Sequence, residues 1–220
     1  MRRLILAWSI VALGACGGTV EVLVPLPNEG GIDGESQSLP SYVELQIIQE
    51  FSETGAYFII QLSNAGPLDG VHDAWCVDPD TLSSWEPYPV KLYSSYATLP
   101  PGAVENPQNL DLVNYVINNF EAGDTVDVDW GGGTAMPTTV TMLDVQDAIW
   151  GLVSSSYYVG DGTAAQVLIE AARAEGEGFL PACDEQMAVI AMPAANLDPS
   201  SGNDVQVLAP VVPVSPEGCP

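Results

Sequence analysis

Apolar and polar positions alternate along Tyr42 to Gln49, and a second strand-like run, largely apolar, extends from Ala56 to Leu62, with Gly55 between them. A period of two is the pattern of a half-buried strand, so this region predicts two strands joined at a turn. A short run from Ala74 to Val77 and another near Val90 to Tyr96, in a stretch punctuated by prolines, predict two more strands. The period then changes. Leu110, Val113, Val116, Ile117 and Phe120 recur at helical spacing behind Asn106-Pro107, an N-cap type followed by proline at a first helical position. Thr141 with Asp144 three residues on has the form of a capping box, and its helix carries Val145, Ala148, Ile149 and Leu152 as an apolar stripe. Thr163 with Gln166 repeats the device for a third helix, running to about Ala174 and ended by Gly176. The Gly/Asp-rich stretch between the first two helices reads as a loop. Gln186 to Met192 and Val205 to Val214 return to strand. Strands, helices and strands again predict an α+β fold: a β-sandwich or barrel-like sheet with an inserted helical subdomain of about three helices.

The N-terminus has a different pattern. Arg2 and Arg3 precede an apolar run from Leu4 to Leu13, then Gly14, Ala15 and Cys16. Charge, a short apolar run and small residues form a secretory signal, and the run falls short of the ~20 residues that span a bilayer. Leu13-Gly14-Ala15-Cys16 resembles the lipobox of bacterial lipoproteins, which implies cleavage before Cys16 and lipid on its thiol. The expected organisation is a signal peptide at 1–15, a lipidated Cys16 with a flexible tether at 16–40 containing one apolar stretch from Val20 to Leu26, and a domain at 41–220. The protein is then exported and lipid-anchored at a cell or outer membrane, facing periplasm or exterior.

Charge narrows the partners. The chain has 29 acidic residues and 4 basic ones, and beyond the signal only Lys91 and Arg173 are basic. Phosphate backbones need a positive surface, so nucleic acid is excluded as a partner, and contact of the domain itself with anionic lipid is disfavoured. Hydrophobic residues make up 47% of the chain, which is enough for a core and argues against disorder. Asp124, Asp127 and Asp129 near Gly131 to Gly133, and Asp78 with Asp80, offer the oxygen ligands that Ca²⁺ takes, without the spacing of an EF-hand loop. Otherwise no cofactor is expected. One histidine and scattered cysteines lack the spacing of a zinc site.

With Cys16 assigned to lipid, Cys76, Cys183 and Cys219 remain. A Cys183–Cys219 bridge would staple the chain's end in an oxidising setting and leave Cys76 as the thiol to be explained. His72, the only histidine, precedes it by four residues. On a strand that spacing shares a face but separates the side chains too far for a nucleophile–base pair.

Two segments carry chemistry together: Ala74-Trp75-Cys76-Val77-Asp78-Pro79 and Asp144-Val145-Gln146-Asp147-Ala148-Ile149-Trp150. An aromatic residue before Cys, with a later Gln-x-Ala-Ile-Trp on a helix, resembles the thioester domains of bacterial surface adhesins. The resemblance implies an internal thioester between Cys76 and Gln146, formed with loss of ammonia, with Trp75 and Trp150 as flanking aromatics. Where that family usually has Thr before the Gln, this chain has Val145 and lacks the hydroxyl. The implied function is adhesion by covalent capture of an amine-bearing partner, once per molecule and without enzymatic turnover.

The chemistry sets its own demands. An amide is a poor electrophile, so the thiol must be held against it and the developing oxyanion must be stabilised. Gln146 sits in the first turns of a predicted helix, where free N–H groups favour negative charge. Neighbouring tryptophans would keep water from a thioester. Two other functions use the same residues: a non-reactive envelope or binding module with the same fold, and an exported hydrolase with Cys76 as nucleophile.

Overall fold

The computed structural model describes residues 39, 42–51, 57–81, 83–183, 185–197 and 205–214. The signal segment, Cys16, all of the tether but Leu39, Gly55 and Cys219 lie outside them, and with Cys219 the expected disulfide.

Six antiparallel strands close into a barrel in the order β1-β2-β3-β8-β7-β4. They are β1 (Val43–Glu50), β2 (Tyr57–Ser63), β3 (Gly70–Cys76), β4 (Tyr88–Ser94), β7 (Gln186–Pro193) and β8 (Leu208–Pro213). Everything between β4 and β7 is an insertion: α1 (Leu110–Asn119), the hairpin β5 (Thr125–Asp129) and β6 (Ala135–Thr139), α2 (Met142–Val153) and α3 (Ala164–Glu175). The α+β architecture, the barrel-like sheet and the inserted three-helix subdomain agree with the hydrophobic pattern.

The alternation along β1 explains its place. Val43, Leu45 and Ile47 are buried and their neighbours are exposed, so one face lines the barrel and the other meets solvent. β7 differs because it is covered on both sides. Met187, Val189 and Ala191 join the barrel interior with Leu45, Ile60, Leu62 and Leu208. Ala188, Ile190 and Met192 join a second core, packed against Val113, Val116, Ile149 and Leu168 of the helices. A strand covered on both faces is a continuous apolar run, as β7 is.

Two expectations on local structure are corrected. The Gly/Asp-rich loop contains the hairpin β5–β6, with Thr125 opposite Thr139 and Asp129 opposite Ala135. Its strands are mostly exposed and Pro137 lies in one of them, so the period-two signal rests on little more than Val126 and buried Val128. Proline is tolerated there because a two-stranded ribbon leaves an outer edge that needs no N–H. Asn106 does not cap a helix with its side chain. A 3₁₀ turn at Pro107–Asn109 intervenes before α1. Thr141 and Asp144 do form a reciprocal capping box, whereas at α3 only Thr163 caps and Gln166 turns to Glu170.

Candidate functional site

β3 ends at Cys76, and α2 crosses beside that end. In a strand, backbone groups of successive residues point to opposite sides. The Val77 N–H bonds to Val207 O in the connection leading to β8, so the N–H and C=O of Cys76 face away from β8. Gln146 fills that side. Its Oε1 accepts from the Cys76 N–H at 3.1 Å and its Nε2 donates to the Cys76 carbonyl at 2.8 Å. The amide thus occupies the place of a neighbouring strand residue, across 70 positions of sequence. Both residues are 0% exposed. A buried glutamine satisfied at both ends is held in one orientation.

The thiol is held just as closely. Cys76 Sγ donates to the Asp78 carbonyl at 3.1 Å and receives the Asp78 N–H at 3.4 Å. Burial pushes the thiol pKa up to about 12, against lowering contributions from the Asp78 backbone and the Trp150 indole N–H. The resting group is therefore the neutral thiol. Among the described residues Cys76 is the free cysteine.

The two tryptophans take different places. Strand alternation turns Trp75 to the helix-facing core, where it packs on Tyr57 with ring centroids 4.5 Å apart. Trp150 instead packs against the barrel-interior cluster that contains Cys76. Its ring lies 4.9 Å from Tyr157, whose hydroxyl is pinned by Asp147 at 2.6 Å. Val145 is buried in the helix-facing core. The Trp150 indole nitrogen is buried and makes no hydrogen bond of normal geometry, although it lies near enough to the sulfur to favour the thiolate.

The donor at Gln146 Oε1 also differs from the sequence expectation. The first turn of α2 is occupied by its capping box, with the Asp144 N–H on Thr141 Oγ1 and the Thr141 N–H on the Asp144 carboxylate. The N–H that serves Oε1 belongs to Cys76 itself.

Sequence reasoning missed Tyr88 altogether, because it stands between prolines at a strand start. Its hydroxyl is buried without a partner among the described residues, and the residue packs against the same cluster as Cys76. Burial raises its pKa, and a charge on Cys76 would raise it further.

Beside the site, a cleft of about 430 Å³ is lined by Val77, Asp78, Asp80, Glu105 and Ser154 among others. Hydrogen bonds from Ser155 and Ser154 hold the Glu105 carboxyl below its ordinary range. The rim of this cleft is acidic.

The other candidates separate. His72 bonds to Leu68 O at 2.8 Å, and four strand residues place it roughly 13 Å along β3 from Cys76. Of the acidic candidates, Asp129 accepts from the N–H groups of Gly131, Gly132 and Gly133, Asp124 from that of Glu121, Asp78 from that of Asp80, and Asp80 from the Ser156 hydroxyl. Among the described residues no group of three or more His, Cys, Asp or Glu gathers as a metal site. No helix among them is long and apolar enough to cross a membrane.

No protein-family model matches this chain, and no curated protein matches it. Among solved structures it is similar to the N-terminal thioester domain of fibronectin-binding protein SfbI from Streptococcus pyogenes. That likeness has a TM-score of 0.41 at 12% identity, covering 83% of this chain and 98% of that one.

Proposed function

We propose that this protein is a lipid-anchored surface adhesin that captures an amine-bearing partner covalently through a thioester between Cys76 and Gln146. The observation that carries the reading is the two-point pairing of the Gln146 amide with the backbone of Cys76 in a fully buried site.

The arrangement suits the chemistry. Cys76 Sγ attacks the Gln146 amide carbon, and the Oε1 that collects the negative charge already accepts the Cys76 N–H. The C–N bond breaks, the thiol proton goes to the departing nitrogen, and ammonia leaves. Attack is intramolecular between two groups fixed on packed elements, which removes much of the entropic barrier. Burial then protects the product from water. A partner amine, such as a lysine side chain, would open the thioester to an isopeptide bond and return the thiol. Each molecule reacts once, so the protein is not an enzyme. The acidic cleft beside Cys76 would draw cationic amines toward the site. The lipobox-like segment at Cys16 supplies export and the anchor in this reading.

The test is the intact mass of the domain without its signal, with and without methylamine. The thioester predicts a mass one ammonia below that calculated from sequence after allowing for any disulfide. It also predicts a gain of one methylamine on Gln146 when that amine is added. A full mass with a free Cys76 thiol under native conditions would rule the reaction out and leave a non-reactive binding module.

A further inference from the structure

Three buried side-chain polar atoms lack hydrogen-bond partners among the described residues: Tyr88 Oη, Trp150 Nε1 and Gln206 Oε1. The first two are donors, and both residues pack against the cluster that holds Cys76. Leaving a buried donor unmet is costly. Both flank the cluster that holds the Cys76 sulfur, one from β4 and one from α2, and among the described residues neither has an acceptor of normal geometry. We propose that the Tyr88 hydroxyl and the Trp150 indole N–H form a two-donor cradle that accepts the charge on Cys76 Sγ when an amine opens the thioester.

The inference rests on the thioester reading and adds the residues that control its reactivity. A thioester sulfur is a feeble acceptor and so is a thiol, whereas a thiolate is a strong one. Both donors therefore lack a strong acceptor in the ground states and gain one as the C–S bond breaks, which is how a site lowers a barrier rather than only binding its reactant. The amine nitrogen attacks the former Gln146 carbonyl carbon, the C–S electron pair leaves on Sγ, and the proton lost by nitrogen ends on Sγ. The burial that pushes the thiol up to about 12 makes an unassisted thiolate a poor leaving group here, so the donors answer a specific need. Trp150 is already fixed by Tyr157 and Asp147.

The experiment compares the intact domain with its Tyr88→Phe and Trp150→Phe variants in the rate of methylamine incorporation, followed by intact mass. Tyr96→Phe is the control, because Tyr96 packs against the same cluster but its hydroxyl is already partnered by Phe179 O and Asn114. The cradle predicts that Tyr88→Phe folds with unchanged or higher thermal stability, having lost an unmet polar group. It predicts at least about 10-fold slower aminolysis for Tyr88→Phe and again for Trp150→Phe, since one preorganised donor often contributes about 10²–10³ in rate. Tyr96→Phe should lose stability and keep its rate. If the wild-type domain has the thioester mass and Tyr88→Phe reacts at the wild-type rate, the cradle is wrong and the thioester stands. If the wild-type domain shows no thioester, both readings fall.

Discussion

At the scale of residues, Gln146 does two jobs that can be separated. In a Cys76→Ala background no thioester can form, and the amide is left as a backbone partner alone. Gln146→Leu in that background should cost about 2–5 kcal/mol by denaturant unfolding, because the N–H and C=O of residue 76 both lose their partner in a dry site. A loss under about 0.5 kcal/mol, the size of an ordinary surface change, would show that water reaches these groups. The thiol itself couples to pH. Its pKa rises from 9.0 to about 12 on burial, so the neutral form is favoured by folding. The stability this contributes is complete below pH 9 and is lost as pH climbs through about 12. The Gln146→Ala variant, which keeps a free thiol, should therefore lose stability over that window more steeply than Gln146→Ala/Cys76→Ala. Tyr88 titrates in the same direction but is common to both proteins. Coincident slopes would mean that the thiol is not buried as described.

At the scale of elements, one device recurs: a helix side-chain amide stands in where a strand neighbour stops. β4 pairs with β7 only as far as Ser94 opposite Val189. Beyond that point Asn114 Oδ1 receives the Ala188 N–H at 2.8 Å, and Asn118 bonds both N–H and C=O of Gln186 at 2.7 Å. The other end of the Asn114 amide reaches Ser95 and Tyr96. Asn114→Ala should cost about 1–3 kcal/mol through the stranded Ala188 N–H alone, measured by urea unfolding. Gln146 on Cys76 is the same device at a second strand end. The helix carrying it is set by its capping box, and Thr141→Ala should remove about 1 kcal/mol, with a larger effect on thioester yield than on overall helicity. These clamps were invisible in the sequence. An asparagine or glutamine on a helix reads as a polar face until the strand it meets is known, and Asn114 and Gln146 interrupt otherwise apolar stripes. The elements themselves were legible to within a few residues. The hairpin β5–β6 was not, because its strands bury almost nothing and leave little alternation to read.

At the scale of the whole molecule, the charge is the dominant feature. A net charge of −25 over the whole chain repels itself, and the compact state bears most of that cost. Salt screens such repulsion over about 10 Å at 0.1 M. The melting temperature should therefore rise with sodium chloride between low ionic strength and about 0.5 M, well before any specific ion effect is needed. A flat response would show that the carboxylates are already neutralised within the fold. The same charge acts on the proposed capture, since association with cationic surfaces should slow with salt.

The chain's pattern alone determined the fold class and the inserted helices, and a resemblance of two short segments singled out Cys76 and Gln146. Periodicity reports which face of an element is buried, and burial is what the hydrophobic effect selects. Tertiary structure alone decided what those buried faces meet. It turned Trp75 away from the sulfur and Trp150 toward it, and it put the Cys76 N–H rather than the start of a helix on the Gln146 oxygen. It also left Tyr88 with an unmet hydroxyl beside the thiol cluster. Hydrogen bonds between distant segments depend on the direction of single bonds, and no one-dimensional spacing records direction.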